Sequence, residues 1–135
     1  MFIVVDASVW VARLVSEDIF YKPVKEWMSA RLHEQDHFLA PSLLLAEIGG
    51  AISRRTTFSL ARKAIEQVQS LPGLQLIEME QPLMRDAAYL AAELGLRGAD
   101  STYVAVAVRL DLPLVTLDTD QRQRAEKRVK VLNIQ

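Results

Sequence analysis

No cysteine occurs among the 135 residues of this chain. That excludes disulfides and thiolate metal sites, and it makes a reducing cytoplasm the expected location. No uncharged apolar run approaches the ~20 residues of a membrane-spanning helix. The apolar start, Met1 to Val15, carries Asp6 and Arg13 and lacks a basic leading segment, so it does not read as a secretion signal. Glycine and proline number five each, and no repeat, linker or low-complexity tract interrupts the chain. A glycine-rich phosphate loop of the Gly-x-x-x-x-Gly-Lys type is missing, as is any thiol nucleophile. Neither sign of charge dominates: 16 basic residues face 17 acidic ones, a balance that neither demands nor forbids a nucleic-acid partner.

What is present describes one domain spanning residues 1–135, with 50% hydrophobic and 24% charged residues. Short apolar strands are expected at Phe2–Val5, His37–Ala40, Leu74–Met79 and Leu114–Leu117, with a last one at Val129–Leu132. Helices are expected over about 8–16, 23–32, from Pro41 and Ser42 onward, from a Ser59 cap to about Ser70, then over 82–94 and 99–110. Strands alternating with helices imply an α/β fold with a parallel sheet covered on both faces. The helix over 82–94 is apolar nearly all round, from Leu83 and Met84 through Tyr89 and Leu90 to Leu94, which in so small a domain points to a dimer interface. Residues 121–130 gather Arg122, Arg124, Lys127, Arg128 and Lys130 against Glu126 alone, so this segment either touches phosphates or forms a solvated helix face.

Four acids stand out. Asp6 follows the first strand and Asp118 follows the strand at Leu114–Leu117. Ligands of open parallel sheets bind beyond the carboxyl ends of strands, although Asp at such a place is also a common turn or cap residue. Glu47 has Leu43, Leu44, Gly50 and Ala51 as its helical neighbours, a poor setting for a carboxylate. Asp100 opens the helix that continues as Tyr-Val-Ala-Val-Ala-Val, where it either complements the helix dipole or serves a site. Two such charges about 4 Å apart repel by about 4 kcal/mol at an effective dielectric of about 20. A divalent cation would relieve that repulsion, and an all-oxygen ligand set favours Mg²⁺ or Mn²⁺. Carboxylates of this kind around such an ion point toward metal-assisted phosphodiester hydrolysis.

At these residues the sequence resembles a PIN domain, and within that family the VapC-type toxin ribonucleases of type II toxin–antitoxin pairs. The resemblance runs over essentially the whole chain. It rests on Val5-Asp6-Ala7-Ser8, on Glu47 in Leu-Leu-Leu-Ala-Glu-Ile, on Arg97-Gly-Ala-Asp100-Ser-Thr-Tyr-Val-Ala-Val-Ala107, and on Leu114-Val-Thr116-Leu-Asp118. It implies a PIN-like three-layer fold with a twisted parallel sheet of about five strands and helices on both faces. It implies Mg²⁺- or Mn²⁺-dependent cleavage of RNA, with Asp6, Glu47, Asp100 and Asp118 as catalytic metal ligands and Ser8 and Thr116 in support. It further implies a homodimer and a small antitoxin protein whose tail occupies the active-site groove. Two departures exist: family members often carry Asn three residues after the Glu, where this chain has Gly50, and Asp120 lies close enough in sequence to replace or assist Asp118.

Three other readings rank lower. A non-catalytic PIN-like RNA-binding module would not need all four acids. An Asp-based phosphotransfer enzyme would usually want a second Asp where Ser8 stands, and a catalytic Lys after a later strand. His33-Glu34-Gln35-Asp36-His37 matches the zinc-protease pattern His-Glu-x-x-His, but that chemistry needs one helix through both histidines, and the helical pattern fades after Leu32. Gly49 and Gly50 inside a helix each cost about 1 kcal/mol relative to Ala, and mark either close helix packing or room for a substrate.

Overall fold

A computed structural model describes residues 1–134. Four parallel strands, β1 (Phe2–Val5), β2 (His37–Pro41), β3 (Leu74–Ile77) and β4 (Leu114–Val115), form one sheet in the order β3-β2-β1-β4. Ile3, Val4 and Val5 of the central β1 are wholly buried, as continuous apolar runs in parallel sheets usually are. The chain steps outward from β1 to β2 to β3, then returns to lay β4 on the other side of β1. The order therefore reverses between β1 and β4, and the crevice at their carboxyl ends is the natural ligand position.

Helices α1 (Ala7–Leu14) and α2 (Tyr21–His33) link β1 to β2, α3 (Leu44–Arg55) and α4 (Phe58–Gln69) link β2 to β3, α5 (Gln81–Leu94) and α6 (Gly98–Leu110) link β3 to β4, and α7 (Thr119–Ala125) follows. Trp10 of α1 meets the Phe38 ring edge-on and Trp27 of α2 stacks on it, both with centroids 5.8 Å apart, which seats these helices on the sheet. Helix α6 lies against β1, β2 and β4, with α5 packed outside it.

Several expected boundaries move. The last strand is reduced to a single bridge between Val131 and Leu114, so the sheet has four strands rather than about five. Only Leu114 is spanned there, its N–H donating to Lys130 and its carbonyl accepting from Leu132. Pro41 ends β2, paired with Ile77, and α3 starts at Leu44 instead of at Pro41 and Ser42. Thr57, not Ser59, caps α4, its side chain accepting from the Leu60 N–H at 3.2 Å. Pro23 sits in the first turn of α2, where no helical N–H is lost, so the helix begins at Tyr21.

The helix buried all round is α6, whose residues Ser101 to Ala107 are all buried, and not α5. In α5 only Leu83, Ala87, Leu90 and Leu94 are buried, one stripe facing inward. Leu90 is thus monomer core, and the apolar residues α5 leaves exposed are Met84, Ala88, Tyr89 and Ala92. The string from His33 to His37 is no zinc helix: α2 ends at His33, Gln35 takes a positive φ of 65°, and His37 opens β2. Asp36 within it is buried and paired with the Met1 amine at 2.9 Å and Arg31 at 3.3 Å. In the basic segment, Arg122 pairs with Glu126, Arg124 with Asp120 and Arg128 with Glu93, which is the pattern of a solvated helix face.

Candidate active site

Asp6 leaves the carboxyl end of β1 and caps α1. Its Oδ2 accepts from the Ser8 N–H at 3.1 Å, the Ser8 hydroxyl at 2.6 Å and the Thr116 hydroxyl at 3.0 Å. Those donors satisfy the carboxylate in a buried place, where an unpartnered polar group would be costly. The second strand end supplies Thr116, directly after β4, and two residues later Asp118 caps α7 by accepting from the Gln121 N–H at 3.0 Å.

Behind them lies Gln121, wholly buried, which the sequence reading did not single out. Its Oε1 stands 3.1 Å from the Thr116 hydroxyl, while its Nε2 is an unpartnered buried donor. One hydroxyl proton cannot serve both Asp6 and Gln121. Turning the Gln121 amide over lets Nε2 donate to Thr116 and frees the Thr116 hydroxyl to donate to Asp6. Gln121 then fixes the direction of the Thr116 hydroxyl, and through it the carboxylate of Asp6.

Glu47 in the first turn of α3 accepts from the Tyr103 hydroxyl of α6 at 2.7 Å. Its pKa is raised by burial, then by the nearby charges of Asp6 and Asp100, with the Tyr103 bond opposing them. Asp100, 14% exposed, is likewise raised, first by burial and then by Asp6 and Asp118, against the lowering contact with Arg97. Asp118 is lowered, first by the Gln121 backbone N–H and then by Arg97. The Tyr103 phenol is pushed up by its burial, then by the charge of Glu47 and its bond to it, so it is a fixed donor at neutral pH.

The charge of Asp6 thus acts on both Glu47 and Asp100, and that of Asp118 on Asp100. Asp120 is not drawn into this set; its two oxygens bind Arg124 Nε at 3.1 Å each. Among the described residues, no three acidic or histidine side chains are already gathered as a metal cage. What holds them instead is Arg97, whose Nε donates to Asp100 at 2.9 Å and whose terminal nitrogen donates to Asp118. A monovalent cation on a 70% exposed arm thus lies between two acids. The oxygen-only donor set, the half-buried carboxylates Glu47 and Asp100 with raised pKa and the cation already drawn between Asp100 and Asp118 fit a divalent metal. Arg97 had a faint signal in the sequence, three residues before Asp100 in one helical turn. Tyr103 lies 56 residues from Glu47, and nothing local announces their contact.

The PIN-domain family model matches residues 3–127. The chain belongs to the PIN domain family. The solved structures it resembles include VapC20 of Mycobacterium tuberculosis, a sarcin–ricin loop cleaving toxin, at a TM-score of 0.80 and 19% identity over 97% of this chain and 99% of that one. VapBC2 of Rickettsia felis, solved on a DNA fragment from its promoter, matches at 0.77 and 14% over the full length of both chains. PAE2754 of Pyrobaculum aerophilum matches at 0.63 and 25%, covering 97% of this chain and 92% of that one. A comparison with curated proteins finds no match to the chain. The fold of this PIN domain is that of the VapC toxins, and no helix among its described residues is long and apolar enough to cross a membrane.

Proposed function

We propose that this PIN domain is a metal-dependent endoribonuclease, acting in the cytoplasm as the toxin of a toxin–antitoxin pair. What supports the reading is the placement of Asp6 and Asp118 after β1 and β4, where the sheet order reverses, with Asp100 of α6 joined to Asp118 through Arg97 and Glu47 held by Tyr103 of the same helix. Asp6, Glu47, Asp100 and Asp118 would hold Mg²⁺ or Mn²⁺, which offsets phosphate charge and lowers the pKa of bound water when present. Ser8, Thr116 and Gln121 orient Asp6, and Tyr103 orients Glu47. Arg97 must swing off Asp100 and Asp118 for both to turn to a metal, and its exposure allows that. The phosphodiester of RNA is the substrate class. A small antitoxin is the proposed protein partner, since relatives such as VapBC2 were solved as toxin–antitoxin complexes. Incubating purified protein with total RNA in Mn²⁺ should give discrete cleavage products, and EDTA should suppress them. Equal cleavage in EDTA would remove the metal from the mechanism.

The proposed homodimer forms through the outer face of α5, where Tyr89 is 72% and Met84 44% exposed. Tyr89 has Arg85, Asp86 and Glu93 as its helical neighbours, so a seam here would set an aromatic anchor within a charged rim. Tyr89→Glu should shift the light-scattering mass from dimer to monomer with the fold intact. Wild type that is monomeric at tens of micromolar would instead leave Tyr89 as a plain surface residue.

A further inference from the structure

A groove of about 580 Å³ leads away from the acids, with Ser8, Glu47 and Asp118 at one end and Phe20, Arg54 and Arg55 at the other. Its floor along α3 is made of small residues. Glu47, Gly50, Ala51 and Arg54 recur at helical spacing on one face, so Arg54 lies about 10 Å along the axis from Glu47. Gly50 explains itself here. A Cβ at that position would come within 3.1 Å of a terminal nitrogen of Arg54, so the guanidinium lies back over the glycine, toward the acids. The position where PIN relatives often place Asn is thus occupied by an arginine head from the next turn. Gly49, by contrast, faces Ile65 of α4 and serves helix packing.

The two arginines at the far end differ. Arg55 donates to Asp18 at 3.0 Å, and the other oxygen of Asp18 accepts from the Phe20 N–H at 2.8 Å. This brace ties the segment before α2 to the end of α3 and presents the 43% exposed Phe20 ring at the groove rim. Arg54 makes no ion pair or hydrogen bond among the described residues. An unpaired guanidinium over a bare glycine floor, an aromatic ring across from it and a carboxylate cluster at the end together match a polyanion carrying flat bases. An acidic peptide would satisfy Arg54, but it would approach the acids at the cost of like-charge repulsion and would leave them without a task.

We propose that this groove seats the single-stranded RNA flanking the cut, with Arg54 holding a backbone phosphate and Phe20 stacking on a base. The proposal rests on the ribonuclease reading and adds a substrate subsite to it. Each contact has its own signature, because a phosphate contact releases counterions and a stacking contact does not.

The test uses full-length protein and a short fluorescein-labelled single-stranded RNA, with cleavage in Mn²⁺ and binding by anisotropy in EDTA. Arg54→Gln should raise KM about five- to tenfold with kcat within about twofold, and should flatten the slope of log KM against log salt by about 0.7. Arg54→Lys should restore the slope. Phe20→Ala should raise KM about fivefold with the slope unchanged. The Mn²⁺-driven rise in melting temperature should match wild type in all three, showing intact folding and metal binding. An unchanged KM and salt slope in Arg54→Gln overturns the phosphate subsite. Loss of binding to a labelled acidic peptide with RNA handling intact also overturns it, in favour of a protein ligand. If wild type cleaves no RNA the ribonuclease reading fails by itself, and the anisotropy arm still decides whether Arg54 grips RNA.

Discussion

Asp100→Asn should abolish RNA cleavage while leaving the metal-free protein at least as stable as wild type. Asp100 is held mainly against its burial and against the charges of Asp6 and Asp118, with only the exposed Arg97 in its favour. Asparagine keeps the shape, removes the charge and takes away a proposed ligand. The sign with pH follows. A carboxyl whose folded pKa is raised stabilises the fold below its unfolded pKa, and that contribution is lost as pH rises through the folded value. Glu47 and Asp100 both behave so, whereas Asp118 acts in the opposite sense and loses its contribution as pH falls. At neutral pH the metal-free site is therefore under electrostatic load from Glu47 and Asp100. Mn²⁺ should raise the wild-type melting temperature, since a ligand at about a hundredfold excess over its Kd adds about 2.7 kcal/mol when it binds only the folded state. The rise should shrink as pH is lowered toward the carboxylate range, where protons compete for the same oxygens. Melting curves in EDTA and in millimolar Mn²⁺, beside the cleavage assay, check all of this. Wild-type cleavage by Asp100→Asn would refute the carboxylate mechanism, and an unfolded variant would make Asp100 a structural residue of the first turn of α6.

Asp6→Ala should fail in a different way, losing cleavage and also about 2–4 kcal/mol of stability with or without metal. Asp6 is a structural hub as much as a proposed ligand. It caps α1, and removing it strands the Ser8 and Thr116 hydroxyls in a buried pocket with Gln121 behind them. Urea denaturation in EDTA separates the two acids: Asp6→Ala should shift the midpoint down and Asp100→Asn should not. Equal midpoints for Asp6→Ala and wild type would mean that the hydrogen-bonded hub contributes nothing to folding.

Much of this contrast was legible in the residue pattern. The apolar run ending in Asp6 marked a strand end, because an acid cannot continue a buried strand, whereas β4 stops at Val115, three residues before Asp118. Glu47 was conspicuous because every helical neighbour was apolar or small. The fifth strand is shorter than expected: β4 is only two residues long, so Val129–Leu132 makes a single bridge to it. Helix α5 was read as apolar all round because alanines count as apolar on either face; only its stripe of Leu83, Ala87, Leu90 and Leu94 is covered. The basic segment left a phosphate contact and a solvated helix face both open, because its partners Glu93 and Asp120 lie outside the run.

The sequence by itself determined the alternation of strands and helices, the position of four acids relative to those elements, and through them the family. These are local properties, set by spacing and by what a buried strand or helix face tolerates. Only the tertiary structure decided who holds each acid. Tyr103 reaches Glu47 across 56 residues, Thr116 reaches Asp6 across 110, and Arg97 reaches Asp118 across 21. Such pairings depend on sheet order and helix packing, which bring distant side chains within hydrogen-bond range. The same is true of the groove: Gly50 was an unexplained departure in the sequence, and it acquired a reason only when the Arg54 guanidinium was found lying over it.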